Sequence, residues 1–376
     1  MKRFIKLFYC ILRSKKFFSV EKKKFVIFDC VNTDVISKIL PSDQTYIVSS
    51  RYNKITKLLL NFKTILFLIK NLFSRSMQLN YFISLIDQIE PKFVITTIDN
   101  SITFSRLTKY FENRIKFIAI QNATRGDFYE NKPHQNSLFY FTNYFGLSNF
   151  DHELMKIKNI KVKNFFAIGS LRNSYFKNFI HPKIANSKKK YDVCLVSKHI
   201  FKGEAPVNNS HSNVIFKIID FLAKYAKITN KSIIIQSKSQ SDNIKEKNFY
   251  DEKFKNINYK ISWKDDINYN SYKSISSSYL IIGAPSTLLR EASIYSNAKI
   301  ICFNSEKKEN KNPFSQTNFI KQMTYEEFET KLNQAFEQIQ NNLSSSSIND
   351  SEYILTKTDS INYFLNLLER KNKNLI

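Results

Sequence analysis

Short apolar runs alternate along this chain with stretches of helical periodicity, and this alternation limits the possible folds more than any other feature. The runs are rich in Val, Ile and Phe, as in FVIF at residues 25–28 and YLII at residues 279–282. Parallel strands that are covered by helices on both faces have this continuous apolar character. The alternation therefore predicts an α/β protein with parallel sheets.

The alternation forms two series, separated by a polar, basic stretch that ends at Lys190. The strands predicted in the first series are Phe25–Phe28, Thr45–Val48, Phe93–Ile98, Ile115–Ile120, Tyr144–Leu147 and Phe165–Ile168. Those predicted in the second series are Tyr191–Val196, Ser232–Ile235, Ile257–Ile261, Tyr279–Ile282 and Lys299–Phe303. A chain of 376 residues is long enough for two domains. We therefore predict Rossmann-like domains at residues 1–175 and 190–340, and a C-terminal crossover helix within residues 352–376 that folds back across the first domain.

The charge of the chain limits its partners. The formal net charge is +26, but the basic residues are spread along the chain, without the arginine-rich block or the interleaved aromatic and basic residues of strand-binding domains. Nucleic acid is therefore not expected as a partner, whereas an anionic membrane surface or an acidic substrate suits the charge.

The N-terminus and the cysteines bear on localisation. Lys6, Arg13, Lys15 and Lys16 interrupt the apolar N-terminal stretch, so export by a signal peptide is not expected. The sequence also has no run of about 20 apolar residues free of charge. Three of the four widely spaced cysteines lie in or beside apolar runs, so we expect buried, reduced thiols in a cytoplasmic protein.

Residues 51–75 combine a strong apolar stripe with Lys and Arg on the other face, and we predict a helix there. This helix either packs on the sheet or lies on a membrane surface. The basic N-terminus favours the second alternative, which would place the protein peripherally on the inner face of the cytoplasmic membrane.

Polar residues follow two predicted strands of the first domain. Ligands of open α/β sheets bind at the carboxyl ends of the strands, so polar side chains at these ends are candidate site residues. Asp99 and Asn100 end one strand, where a carboxylate can act as a general base or as a nucleophile toward an anomeric carbon. Alternatively, Asp99 only caps the next helix. Gln121, Asn122 and Arg125 follow the next strand and either bind sugar hydroxyls or a carboxylate or form an ordinary polar loop.

The most specific local pattern is GAPSTLLREA at residues 283–292, where a strand turns into a helix. The helix N-terminus, with Ser286 and Thr287, suits a diphosphate or monophosphate, and Glu291 is placed to accept hydrogen bonds from two ribose hydroxyls. Alternatively, these side chains form a capping box that satisfies the helix end.

Two further strand ends in the second domain carry cations and hydroxyls that could neutralise a donor phosphate, namely Ser197, Lys198 and Lys238. The five histidines show no metal-ligand spacing, and no Asp-X-Asp motif stands at a strand end to hold a divalent ion. We therefore predict metal-independent chemistry, with no cofactor.

Four segments resemble a family of bacterial surface-carbohydrate biosynthesis proteins and, through them, GT-B glycosyltransferases that use CMP-activated 3-deoxy-ulosonic acids such as Kdo. They are ITTIDNSITFSRLTKYF, IKFIAIQNATRGD and FFAIGSLRNSYF in the first domain and GAPSTLLREA in the second. The resemblance implies a GT-B fold with two facing Rossmann-like domains, the acceptor on the first and the donor nucleotide on the second.

The resemblance also implies roles for the candidate residues. Asp99 would be the active-site carboxylate, as nucleophile in a retaining enzyme or as base in an inverting one. The implied binding residues are Asn100, Gln121, Asn122 and Arg125 for the sugar, and Ser286, Thr287 and Glu291 for a CMP-linked nucleotide. The product would be a surface polysaccharide such as capsule, O-antigen or lipopolysaccharide, built on a glycan or lipid-linked acceptor.

The same fold would also serve a UDP-sugar transferase, a glycerophosphotransferase or a sugar 2-epimerase, although few carboxylates and histidines stand at strand ends to supply the acid and base of an epimerase. A non-catalytic, membrane-associated assembly protein is a further alternative. If the chain is an enzyme, we expect Asp99→Ala to remove activity with stability nearly unchanged.

Overall fold

The computed structural model describes most of the chain. The described residues are 12–30, 33–50, 57–125, 138–181, 189–198, 200–202, 205–206, 210–265, 267–295, 298–304, 314, 317–341, 355–356 and 359–369. The chain divides into two compact units, of which the first comprises Met1–Gly169 with Asp359–Ile376 and the second Ser170–Thr358.

The strands and α-helices of unit 1 cover most of its described residues, with a 3-10 helix at Ser42–Gln44. The strands are β1 Lys15–Phe17, β2 Phe25–Phe28, β3 Thr45–Val48, β4 Lys57–Leu59, β5 Phe93–Thr96, β6 Lys116–Ile120, β7 Tyr140–Gly146 and β8 Lys161–Ala167. The helices are α1 Ile36–Ile39, α2 Phe62–Lys70, α3 Met77–Ile89, α4 Ile102–Phe111, α5 Asn149–Ile157 and, from the C-terminus, α12 Ser360–Glu369.

The main sheet of unit 1 has six strands in the order β3-β2-β5-β6-β7-β8, and every pairing is parallel. The chain runs from β2 outward to β3 and then returns to β5 on the other side of β2. The direction of winding therefore reverses between β2 and β5, and a parallel sheet binds ligands at the carboxyl ends of the strands that flank such a reversal.

The core of unit 1 explains why these strands lie inside the sheet. All four residues of β5, Phe93–Thr96, are buried. In the neighbouring strand β2, the Phe28 ring packs against Phe82 of α3 and Phe104 of α4, with centroid distances of 5.1 and 5.9 Å. Apolar side chains thus meet helices on the sheet, as the continuous apolar runs predict.

Unit 2 repeats this architecture. Its strands are β9 Tyr191–Val196, β10 Phe201–Lys202, β11 Ala205–Pro206, β12 Ile233–Gln236, β13 Tyr259–Ser262, β14 Ser278–Gly283, β15 Lys299–Asn304 and β16 Thr317–Phe319. Its helices are α6 Leu171–Tyr175, which continues as a π-helical turn over Phe176–Ile180, α7 Ser210–Thr229, α8 Ile244–Lys253, α9 Asn270–Ser276, α10 Thr287–Tyr295 and α11 Tyr325–Gln340.

The six-stranded sheet of unit 2 has the order β13-β12-β9-β14-β15-β16, again with parallel pairings throughout. Here the winding reverses between β9 and β14. The carboxyl ends of these two strands are therefore the positions in unit 2 at which a ligand is expected.

Helix α12 belongs to unit 1 although it follows unit 2 in the sequence. Its Phe364 is fully buried, and the ring lies edge-on to Phe145 of β7 at a centroid distance of 5.7 Å. The predicted return of the C-terminal helix to the first domain is therefore confirmed.

The helix predicted over residues 51–75 is wrong in detail. Residues 51–75 are not one helix, because Lys57–Leu59 form strand β4, which pairs with β1, and α2 begins only at Phe62. Residues 51–56 of that prediction lie outside the described part of the chain.

The expectation of buried thiols holds for Cys194 and Cys302 but not for Cys30, which is exposed, while Cys10 lies outside the described residues. Burial raises the pKa of the Cys194 thiol to about 12. No helix within the described residues is both long and apolar enough to cross a membrane.

Candidate functional site

Asp99 lies just beyond the carboxyl end of β5, beside the winding reversal of unit 1. Its side chain is fully buried, and both carboxylate oxygens accept hydrogen bonds. Arg125 Nε lies 3.0 Å from Oδ1 and 2.9 Å from Oδ2, and the Tyr144 hydroxyl donates to Oδ2 at 2.7 Å. A second guanidinium nitrogen of Arg125 also contacts Oδ1. Asp99 therefore forms a buried ion pair with Arg125. The residue that caps α4 is Ser101 and not Asp99, because Ser101 Oγ accepts a hydrogen bond from Phe104 N at 3.2 Å.

Asn122 and Arg125 belong to the same cluster as Asp99. Asn122 Oδ1 accepts a hydrogen bond from Arg125 Nη2 at 2.8 Å, and Asn122 Nδ2 donates to the Thr97 carbonyl oxygen at 2.5 Å. The loop after β6 is thereby tied to the loop after β5. The structure thus brings together residues from both predicted strand ends, and Asn100, half-buried, follows Asp99 directly.

Gln121 points elsewhere, toward helix α5. Its Nε2 donates to Asp151 Oδ1 at 2.6 Å, and its Oε1 accepts from Leu147 N at 3.1 Å. Asp151 completes the capping box of α5 with Ser148. With 4% of its surface exposed and its amide engaged on both sides, Gln121 connects β6 to the start of α5. Gly126 and Asp127, the end of the same segment, lie outside the described residues.

The turn from β14 into α10 lies at the winding reversal of unit 2. A methyl group on Gly283 would come within 2.8 Å of the Val196 carbonyl oxygen of β9, so the close approach of these two strands requires glycine here. Ser286 Oγ accepts from Leu289 N at 3.2 Å and caps α10, and half-buried Thr287 is the first helical residue. The first N–H groups of an α-helix have no partner within the helix, which suits an anion at this end.

Glu291 lies one turn into α10, with 6% of its surface exposed. Its Oε1 accepts a hydrogen bond from Ser170 Oγ at 2.5 Å. Burial raises the pKa of the Glu291 carboxyl, opposed by hydrogen bonding from Ser170 and Tyr272 and by the charges of Arg172 and Arg290. Glu291 thus contacts Ser170 at the start of α6 and does not form a capping box with Ser286. The capping alternative is therefore wrong for Glu291. It is correct for Ser286, which caps α10.

At the end of β9, the hydroxyl group predicted to bind a phosphate is engaged within the protein. Ser197 is buried, and its Oγ lies 2.7 Å from the Tyr250 hydroxyl. Lys198 is half-buried beside it. At the end of β12, Lys238 is exposed to solvent overall. Its pKa is nevertheless lowered, first because protein atoms surround the amine and second because Lys264 is positively charged.

The sequence does not predict one buried carboxylate of unit 2, Glu246, and the hydroxyl groups around it. Glu246 on α8 is fully buried, and its two oxygens accept from Ser237 Oγ and Ser239 Oγ, each at 2.5 Å. Hydrogen bonding also links Glu246 with Tyr250. The sequence contains a pattern that accompanies this cluster: serines at positions 237, 239 and 241, followed by a helix with Glu246 as its third residue. Nothing in the sequence shows that the Glu246 side chain points into the protein.

Metal independence stays a prediction. Within the described residues, no group of three or more His, Cys, Asp and Glu side chains is placed to hold a metal ion. His134 and Asp266 lie outside those residues, as does the side chain of His211.

Comparison with solved structures identifies the fold. The UDP-GlcNAc 2-epimerase from Neisseria meningitidis bound to UDP-GlcNAc is 12% identical, with a TM-score of 0.55 over 93% of this chain and 100% of that one. The wall teichoic acid polymerase TagF is 11% identical, with a TM-score of 0.52 over 92% and 88% of the two chains. The UDP-GlcNAc 2-epimerase from Methanocaldococcus jannaschii is 13% identical, with a TM-score of 0.52 over 93% and 99%.

The predicted GT-B fold of two parallel-sheet domains is therefore confirmed. No protein-family model matches the chain, and no curated protein matches it. At these identities the likeness concerns the fold alone.

Proposed function

We propose that this chain is a glycosyltransferase that moves a sugar from a nucleotide-sugar donor to a glycan or lipid-linked acceptor during the synthesis of a bacterial surface polysaccharide. The GT-B fold supports this proposal, as does the position of the candidate residues at the carboxyl ends of both sheets. The arrangement of Glu291 next to the N-terminus of α10 carries it.

In this proposal the nucleotide binds in unit 2, at the end of β14. The N-terminus of α10 would receive a phosphate, because its N–H groups and the helix dipole favour negative charge. Glu291 would accept hydrogen bonds from the ribose hydroxyls. The Ser170 hydroxyl, 2.5 Å from Glu291 Oε1, already makes the contact that a ribose hydroxyl would make, so a nucleotide would exchange with Ser170.

Two donor nucleotides are candidates for this site. The resemblance in sequence implies a CMP-linked ulosonic acid, whereas two of the solved structures with the same fold are UDP-GlcNAc 2-epimerases. We propose a UDP-linked sugar as the first donor to test and a CMP-linked ulosonic acid as the second. The excess of positive charge would also suit the carboxylate of the second donor.

Asp99 remains the proposed catalytic carboxylate of unit 1, but the geometry adds a condition. Direct attack on an anomeric carbon, or removal of a proton from an acceptor, requires a carboxylate oxygen that reaches the substrate. In the structure Asp99 Oδ1 contacts Arg125, and Asp99 Oδ2 contacts both Arg125 and Tyr144. Either of those partners would have to move when substrate binds, or Asp99 would act by positioning Arg125.

Thermal unfolding of the purified protein with CMP, UDP, GDP and their sugars tests the nucleotide site. We expect the cognate nucleotide to raise the unfolding temperature, because a ligand of the folded state stabilises it by about 2.7 kcal/mol at a hundredfold excess over its Kd. Glu291→Gln should remove this shift. Glu252→Gln, an exposed glutamate on α8, is the matched control and should keep it.

Each outcome assigns the chain differently. A shift with UDP compounds alone selects a UDP-sugar, and a shift with CMP compounds alone selects the ulosonic acid. Conversion of UDP-GlcNAc to its C2 epimer without an acceptor would make the chain an epimerase. If no nucleotide shifts the unfolding temperature, the glycosyltransferase proposal fails and the assembly-protein alternative takes its place.

A further inference from the structure

Helix α2 of unit 1 is oriented with its apolar stripe toward solvent. Phe62, Ile65, Leu66 and Ile69 follow the spacing of one helix face, and they are 78%, 45%, 38% and 65% exposed. The turn after the helix continues this surface with Leu72 and with Phe73, which is 97% exposed. We call these six residues the α2 face. A helix that packs on a core shows the opposite orientation.

Polar contacts hold α2 in this orientation. On its inner side, Thr64 is fully buried, and its Oγ1 accepts from Gln88 Nε2 of α3 at 2.9 Å. At the start of α2, Asn61 Nδ2 donates to Gln88 Oε1 at 2.6 Å, and Asn61 Oδ1 caps the helix through Thr64 N. At its end, Asn80 Nδ2 donates to the Asn71 carbonyl oxygen at 2.6 Å. The outward stripe is therefore built into the unit by specific hydrogen bonds.

Exposed apolar residues also flank the strand that pairs beside α2. Strand β1 pairs with β4 directly before α2, and Phe17 O accepts from Leu60 N at 2.9 Å. Leu12 and Phe18, on either side of β1, are 63% and 70% exposed. Large apolar side chains exposed together on one helix face, as on α2, mark a site of interaction with another molecule or with a membrane.

The charges around the α2 face are of one sign. No Asp or Glu occurs between Asp43 and Asp87, nor among residues 1–20. The exposed cations on α2 and the adjoining strands and turn are Arg13, Lys15, Lys16, Lys57, Lys63, Lys70 and Arg75. An apolar helix face bordered by Lys and Arg matches the interface of an anionic bilayer, where apolar side chains enter the acyl boundary and cations meet the lipid headgroups.

We propose that the α2 face docks unit 1 onto an anionic lipid bilayer. The charge favours lipid over a protein occupant, because lysine is depleted where proteins bury a shared interface. Each cation near the surface adds attraction to an anionic leaflet, and the apolar side chains supply the rest. This proposal concerns unit 1 alone and does not depend on the donor nucleotide or on the reaction.

Flotation with lipid vesicles tests the proposal. We expect the full chain to float with vesicles of phosphatidylglycerol and phosphatidylcholine in equal parts, and to float much less with pure phosphatidylcholine or in high salt. The variant Phe62→Ser/Ile69→Ser/Phe73→Ser should bind the anionic vesicles at least about tenfold more weakly. Ile157→Ser, at a residue 68% exposed on the end of α5, is the matched control and should bind like the unaltered protein. Unfolding temperatures and nucleotide shifts of all variants should agree, which separates this test from that of the proposed function.

A fluorescent probe reports insertion directly. The chain has one tryptophan, Trp263, so Phe73→Trp in a Trp263→Phe background places the only indole on the α2 face. Its emission should shift to the blue with anionic vesicles. Equal binding of the triple variant and the unaltered protein would overturn the proposal. So would a dimer that the same substitutions dissociate, because a second copy would then cover the face.

Discussion

At the scale of single residues, the buried ion pair of Asp99 with Arg125 makes this candidate catalytic residue important for stability as well. We predict that Asp99→Ala lowers the free energy of unfolding by about 3–5 kcal/mol, because it leaves the Arg125 guanidinium and the Tyr144 hydroxyl without their buried acceptor. Urea denaturation measures this loss. The expectation from sequence, that the substitution leaves stability nearly unchanged, does not include this buried ion pair, so the two predictions differ.

A surface ion pair of the same unit provides the control. Asp87 meets Arg114 at 3.1 Å, with side chains 35% and 56% exposed. Asp87→Ala should cost only about 0.2–1 kcal/mol. Similar losses in the two variants would mean that the buried pair does not form in solution. Because Asp99→Ala perturbs folding, activity assays of Asp99 need variants whose folded fraction has been measured.

The sequence was informative about which residues stand at strand ends and uninformative about what those residues contact. Asp99, Asn122 and Arg125 were selected because they follow apolar runs, and the structure brings all three together. Tyr144 was not selected, because it lies within a strand 45 residues from Asp99 and only the sheet brings the two together. Gln121 was selected by the same rule as Arg125, yet its amide serves the cap of α5.

At the scale of elements, the Glu246 cluster fastens α8 to the carboxyl end of β12 and makes stability depend on pH. Burial raises the pKa of Glu246 above its ordinary value of 4.5, opposed by hydrogen bonds from Ser237, Ser239 and Tyr250. Between these two values the unfolded chain ionises while the folded protein keeps the proton. The folded state then binds more protons, so stability falls as pH rises from 4.5 through the raised pKa.

We predict that Glu246→Gln makes the fall in unfolding free energy from pH 4.5 to about 7 less steep, because an amide cannot ionise. Urea denaturation across this pH range measures the slope. Glu252→Gln, an exposed residue of the same helix, should keep the slope of the unaltered protein. Identical slopes in all three proteins would show that Glu246 is ionised in the folded state, contrary to the direction stated here.

The bounds of an element can be predicted when its own residues determine them, but not when they depend on pairing with a distant part of the chain. The bounds of β2, β3 and β9 were predicted as observed, because each is an apolar run that ends at polar residues. The stretch 51–75 was predicted as one helix because its apolar periodicity is helical. Strand β4 interrupts it only because β1, some 40 residues earlier, offers a parallel edge at Lys15–Phe17.

At the scale of the whole molecule, α12 makes the folding of unit 1 depend on the last residues of the chain. Phe364→Ala should destabilise unit 1 by about 3–5 kcal/mol, because it empties the space beside Phe145. We expect unit 1 to unfold at lower urea concentration while the transition of unit 2 stays in place. Tyr363→Ala, at the neighbouring residue with 38% exposure, should change stability by about 0.5 kcal/mol or less. A single transition that moves as one would mean that the two units unfold together.

The inner side of α2 has a consequence for the thermodynamics of any contact made by its outer side. An amphipathic segment that is disordered in solution loses conformational entropy when it becomes helical on its target. Here Asn61, Thr64 and Gln88 already fix the helix in the folded unit, so that entropy is lost at folding instead. The α2 face is preorganised, and its affinity for a binding surface should track apolar area and charge without a term for helix formation.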